Sequence, residues 1–297
     1  MTRRDSPIRR ARTSSTGLLF VLPALLALAM LIVYPVIDVS VLSVTDEGGS
    51  FVGLANFRAA VASPSTLAAV RNTAYFVGAS IVCQVIAGTL VGILLNRRFR
   101  GRGLVRALVL LPWVVPGIVG ATMWAWMLHT EFGIINHLLT ATRVTTQPIG
   151  WLTDPSLVMP ALIAINVWKL FPFVAIMVLA GLQAAPDELY EAARVDGASF
   201  WHEVRHVMLP QIRPVLVAVT LLLTIWGLNA ITIIYTITRG GPANRTLVVP
   251  IQIFRQAFES FQFHDAAALS VMFFAATLAI VALYLRVFRS ADEGGVR

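Results

Sequence analysis

Long apolar runs recur along the chain, and the stretches between them hold nearly all the charge. Six stand out, at residues 18–37, 73–95, 107–128, 157–182, 214–238 and 266–285. Five carry no charged side chain and the fourth carries one, Lys169. A hydrocarbon core about 30 Å thick is crossed by about 20 helical residues rising 1.5 Å each. Short apolar helices of a soluble core would not repeat this length six times. The pattern predicts an all-α, polytopic membrane protein with six transmembrane helices. An N-terminal tail (1–17), a membrane domain (18–285) with a polar loop at 183–213, and a C-terminal tail (286–297) complete the division.

Composition agrees. Apolar residues make up 57% of the chain and charged residues 13%, against roughly 45–50% and about 25% in soluble domains. The net charge of +8 invites a nucleic-acid partner, but its distribution points elsewhere. Arg3, Arg4, Arg9, Arg10 and Arg12 precede the first run; Arg97, Arg98, Arg100, Arg102 and Arg106 separate the second from the third. Arg194, Arg205 and Arg213 lie between the fourth and fifth, and Arg286, Arg289 and Arg297 follow the sixth. The alternate loops are poorer in arginine. This positive-inside bias places both termini and the loop 183–213 in the cytoplasm. The single cysteine, Cys83, lies inside the second run and allows no disulfide framework. A basic start, an apolar run and Ala27-Leu28-Ala29 imitate a cleaved signal peptide, but the run continues to Ile37, as a retained span does.

The outer connections hold smaller signals. Gly48-Gly49 marks a turn before a short interfacial helix near Phe57, and residues 129–156 suit a surface-lying segment. Gly240-Gly241-Pro242 breaks the chain sharply. Beyond it Ile251, Phe254, Phe258 and Phe261 recur at helical spacing, flanked by Arg255 and Glu259. That stripe predicts an amphipathic helix, resting by default on the outer surface against lipid, or else dipping into a cavity. Prolines and glycines within the runs, among them Pro112, Pro116, Pro172 and Gly227, allow kinks around a pathway.

The polar loop carries the densest local logic. Pro186 suits a first helical turn, and Asp187, Glu188 and Glu191 complement its positive end. Asp196-Gly197 interrupts the helix, since glycine adopts left-handed backbone readily. Ser199 caps a second helix whose Phe200, Val204 and Val207 share a face. Small Ala192, Ala193 and Ala198 permit close approach at the bend. The residues alone describe either an amphipathic hairpin on the membrane surface or a knob inserted into a partner.

The string Ala180-Gly181-Leu182-Gln183, Pro186, Glu188-Leu189-Tyr190-Glu191-Ala192-Ala193, Asp196-Gly197-Ala198, then Leu209-Pro210, resembles the signature loop of binding-protein-dependent ABC permeases. Tyr235-Thr236-Ile237-Thr238 before Gly240-Gly241-Pro242-Ala243-Asn244-Arg245-Thr246 is similar to the carbohydrate-importer branch. So are Phe51 to Phe57 and Ala266 to Ser270. The set resembles the first permease subunit of the maltose or glycerol-phosphate type. It lacks the large periplasmic insertion of the maltose permease, so maltose is not implied. The resemblance implies a type I ABC importer permease architecture in a bacterial cytoplasmic (inner) membrane. It also implies an ATPase-coupling role for Glu191, Ala192, Ala193, Asp196, Gly197 and Ala198. The implied partners are a second homologous permease subunit, an ABC ATPase dimer that holds ATP and Mg, and an extracytoplasmic solute-binding protein. The implied solute is a sugar, an oligosaccharide or a sugar-like polyol phosphate. No catalytic residue, metal or cofactor is expected in this chain.

A rival motif overlaps the same loop. His202-Glu203-Val204-Arg205-His206 is an H-E-x-x-H, which on a helix offers two imidazoles to zinc and a general base. A membrane zinc protease is the alternative reading, and it requires a third ligand. No acidic residue or histidine lies between His206 and Phe258. A channel that needs no ATP is a further possibility. An intrinsic ATPase is excluded, because a phosphate-binding G-x-x-x-x-G-K-[ST] loop needs a lysine and the only one is Lys169.

Lys169 sits roughly 18 Å into the fourth run, with Asn166 on the same face. It is read either as a pathway-lining cation or as a lysine paired with a carbonyl or carboxylate in the helix packing. In the fifth run Trp226 and Asn229 supply the aromatic and amide chemistry that binds sugars. They are expected to face the substrate pathway, with Gln84 of the second run a lesser candidate. Polar residues also hold membrane helices together at about 1 kcal/mol each, which is the competing role for all of these.

Overall fold

The computed structural model describes residues 20–184 and 186–293. The tail 1–17, the first two positions of the run 18–37, and Arg297 lie outside them. Among the described residues the chain is helical, and the only strand-like pairing is one antiparallel bridge, Thr45 to Phe51. Five helices are long and apolar enough to cross a membrane, and a sharply bent helix pair makes a sixth if it counts as one span.

The chain packs as two units, one of residues up to Val61 with Gln256–Phe274, the other of Ala62–Arg255 with residues from Ala275 on. In the first, α1 (Phe20–Leu42) presents apolar side chains outward along its length. Its turn widens over Ala29–Val33, just before Pro35, whose missing N–H cannot close an ordinary turn onto Leu31. A short α2 (Ala55–Ala62) follows. Asn56 Nδ2 donates to the carbonyls of Ser43 and Thr45 at 3.1 and 2.9 Å, closing the intervening loop. His264 Nδ1 lies 3.1 Å from the Leu42 carbonyl oxygen.

The second unit holds α3 (Pro64–Asn96), α4 (Arg102–Val114), α5 (Gly117–Met127), α6 (Ile134–Ala141) and α7 (Val158–Gln183). After these come α8 (Asp187–Val195), α9 (Phe200–Leu228), α10 (Ile231–Thr238) and α11 (Val249–Phe254). The last helix, α12 (Phe263–Glu293), belongs partly to each unit. The spine of the second unit is α3 against α7. Lipid tails are as apolar as leucine, so close van der Waals packing rather than water exclusion draws such helices together. Gly88 and Gly92 make that possible. A methyl at Gly92 would lie 2.7 Å from Val178 Cγ1 and 2.8 Å from the Ala175 carbonyl, and one at Gly88 2.9 Å from the Phe171 carbonyl.

Three helices depart from the spans that hydropathy outlines. Helix α3 begins at Pro64, nine residues before the apolar run, because a helix entered through Ser63 and Pro64 has no reason to stop at the membrane border. The third run is not one straight helix; α4 and α5 meet at 94°. Val115 is held extended by the proline that follows, with φ −57° and ψ 129°. The fifth run is the end of α9 followed by α10, parted at Asn229 and Ala230.

The segment after Gly240-Gly241-Pro242 does not rest on lipid as expected by default. Val249, Ile251 and Gln252 of α11 are buried. Gln252 Nε2 donates to Ser65 Oγ and Thr66 Oγ1 at 3.1 and 2.9 Å, and Thr73 Oγ1 accepts from the Val249 N–H at 2.9 Å. Of the apolar stripe only Ile251 is buried and Phe254 half-buried, and α3 supplies the polar cover for α11. Further along that stripe, Phe258 and Phe261 are exposed.

Candidate functional site

The polar loop folds as the helix, turn and helix that its residues predict. Helix α8 ends at Val195, and Gly197 takes φ +78°. The Ala198 N–H returns to the Ala193 carbonyl at 2.9 Å. That is a Schellman closure, with Asp196 at the helix boundary, Gly197 left-handed beyond it and Ala198 donating five residues back. Glu191 and Ala192 lie in the helix just before the turn it closes. Ser199 then caps α9, its Oγ accepting from the His202 N–H at 3.4 Å. Local chemistry accounts for the whole bend.

One face of this hairpin is anchored. Tyr190 is buried, and its hydroxyl donates to the Leu182 carbonyl at the end of α7, at 3.2 Å. Tyr190, Val204 and Met208 share a cluster with Ile93 of α3, Val174, Val178 and Leu182 of α7, and Ile212 of α9. For groups that would otherwise meet water, each fully buried apolar side chain contributes about 1.5–3 kcal/mol. The Arg97 guanidinium, at the end of α3, lies 4.1 Å over the Phe200 ring. A cleft of about 900 Å³ opens beside this anchor, lined by Arg97, Arg98, Arg102, Glu191 and Glu203 among others.

The other face is bare. Val195 is 87% exposed and Trp201 71%, with Leu189 also exposed beside Glu188, Glu191 and Asp196. The zinc alternative does not assemble. The His202 and His206 rings stack at 4.1 Å, and His206 Nδ1 lies 3.1 Å from the His202 carbonyl oxygen. Glu203 is buried and lines the cleft, whereas both histidines line a separate depression with Asp196. Among the described residues, no group of three metal-ligating side chains assembles.

The candidates inside the membrane separate into two sets. Gln84 and Asn166 are buried where α3 meets α7, Gln84 Nε2 donating to the Asn166 carbonyl at 3.1 Å. Trp226 is 39% exposed and packs on Phe173 at 4.9 Å between ring centroids; Phe173 lies 5.9 Å from Trp113. Asn229, three residues after Trp226, is exposed, its Nδ2 donating to the Ile225 carbonyl at 2.9 Å. Lys169 Nζ donates to the carbonyls of Pro112, Trp113 and Val115. Trp113 and Phe173 escaped the sequence reading. The available signal was Phe173 one helical turn from Lys169; nothing local linked Trp113 to either.

These features define an α-helical, membrane-embedded protein with a hairpin between two spans, packed on one side and exposing Val195 and Trp201. Residues 84–292 match the family described as the binding-protein-dependent transport system inner membrane component, and the chain belongs to it. It is a permease subunit of the ABC importer class. It is 33% identical to the trehalose/maltose transport system permease protein MalF of Thermococcus litoralis, over 94% of this chain and 95% of that one. It is 31% identical to the sulfoquinovosyl glycerol transport system permease protein SmoG of Agrobacterium fabrum, over 93% and 91%. A chain of a bacterial ABC transporter that imports the acidic polysaccharide alginate shares its fold, with TM-score 0.85 at 21% identity, covering 95% of this chain and 98% of that one.

Proposed function

We propose that the chain moves a sugar, oligosaccharide or related polyol derivative inward across a bacterial cytoplasmic membrane by alternating access. It works with a second permease subunit, an ATPase dimer that holds ATP and Mg, and an extracytoplasmic binding protein. Both termini and the hairpin face the cytoplasm. Closure of the ATPase dimer moves the hairpin, the anchor at Tyr190 and Arg97 carries that motion to α3, α7 and α9, and the spans reorient around the solute. Glu191, Ala192, Ala193, Asp196, Gly197 and Ala198 form the part that docks. Trp226 and Asn229, with Phe173 and Trp113, supply the solute's path. Gln84, Asn166 and Lys169 hold the helices that frame it.

One observation carries the coupling reading. The helix pair leaves Val195, Leu189 and Trp201 exposed while its Tyr190, Val204 and Met208 are packed into a core shared with α3 and α7. Large apolar side chains left exposed on an otherwise anchored polar hairpin support a contact surface there. The sugar-transport names of the relatives and the aromatic pair Phe173–Trp226 support the solute class. The test is co-purification with the ATPase subunit after Val195→Asp or Trp201→Asp. Central interface anchors cost about 2 kcal/mol or more, so retention falls roughly ten-fold or more while the permease still inserts. Undiminished retention in both variants rejects the docking face.

A further inference from the structure

The break between α4 and α5 is held from across the fold. Pro116 has no N–H, so the Pro112 carbonyl lacks the donor that a continuing helix would offer four residues on. The carbonyls of Pro112, Trp113 and Val115 converge instead on one atom, Lys169 Nζ of α7, the first two at 3.1 and 2.9 Å. A lysine ammonium has three N–H groups and accepts nothing. All three are committed to backbone, which leaves none to grip a solute oxygen. The carbonyl end of a helix carries about half a negative charge, so cation and helix end stabilise each other. Without such a partner, a charge inside the membrane costs about 3 kcal/mol or more.

The same contact reaches the aromatic face. Trp113 supplies one of the three carbonyls, and its ring neighbours Phe173. Phe173 follows Lys169 by one turn of α7 and packs on Trp226. One side chain thus fixes the backbone beneath the first ring and shares a helix with the second.

We propose that Lys169 is a positioning residue, a tethered cation that pins the α4–α5 break and sets the Trp113–Phe173–Trp226 face without touching the solute. The second half of this rests on the reading of that face as the solute's path; the pin does not. Solute charge preference is therefore not set by Lys169.

The test uses the full chain in lipid nanodiscs, with Cys83→Ser and nitroxides on Leu108→Cys and Val119→Cys, exposed positions on either side of the break. Pulsed EPR gives one narrow distance in the Lys169 background. Lys169→Ala and Lys169→Met lose it, and Lys169→Arg keeps it. n-Propylammonium, which replaces the atoms removed beyond Cβ, restores it to Lys169→Ala, whereas n-propanol does not. A narrow distance in Lys169→Met, or equal rescue by n-propanol, overturns the pin and leaves only space filling. The distance needs no solute, so failure of the path reading shows separately, as unchanged uptake of radiolabelled trehalose and xylose in Trp226→Ala cells relative to Trp226 cells.

Discussion

The chain turns sharply at Asp196-Gly197 and again at Val115-Pro116, and the two turns are satisfied in opposite ways. At the first, a glycine takes the left-handed backbone and an N–H from the next residue returns to the helix it closes. Every group involved lies within six residues, as a Schellman closure requires. At the second, the freed carbonyls are met by a side chain more than fifty residues further on. A locally closed turn keeps its shape wherever the element moves, which suits the coupling role proposed for the hairpin. A turn closed from a distance changes when the two helices move apart, which suits the wall of a path that opens and shuts.

That contrast can be sharpened by substitution. The largest effect is expected where both turns find their common support, in the α3–α7 spine. Gly92→Val places branched methyls where even a Cβ would be 2.7 Å from Val178. Overpacking of this kind costs about 1–3 kcal/mol or more, and here the obstacle includes backbone. The expected outcome is loss of most folded permease, read by detergent-resistant monodisperse protein on size exclusion. Normal yield would show that α3 and α7 separate without consequence.

A smaller, graded effect is expected at Gly197. Nothing crowds a Cβ there, so the cost is backbone strain alone. A β-branched residue held left-handed loses about 1–2 kcal/mol, and asparagine tolerates that region better. Gly197→Val therefore uncouples ATP hydrolysis from uptake more than Gly197→Asn does, at equal membrane level. Equal behaviour of the two would mean that the turn's conformation is irrelevant to coupling.

The contrast also explains what the sequence made legible. The hairpin could be read residue by residue because Pro186, Gly197 and Ser199 each act on their own neighbours. The apolar runs located the spans because membrane crossing is a local demand on composition. Helix α3 outran its run, since propensity continues where hydropathy stops. The partners of Lys169, Gln84 and Gln252 were hidden for another reason. Each is a polar group whose need for a partner is evident from sequence, while the partner's identity depends on which helices pack together. For the same reason α11 was legible as amphipathic, yet not as covered by Ser65, Thr66 and Thr73 of α3.

The central claim is that the hairpin's bare face is a contact worked by the ATPase. A single cysteine at Val195, in a Cys83→Ser background, tests it most directly when the assembled transporter is taken through its ATP cycle. Cross-linking of that cysteine to the ATPase subunit, with protection from a water-soluble maleimide, is the predicted result. Full maleimide reactivity at every stage, with no cross-linked product, would contradict it.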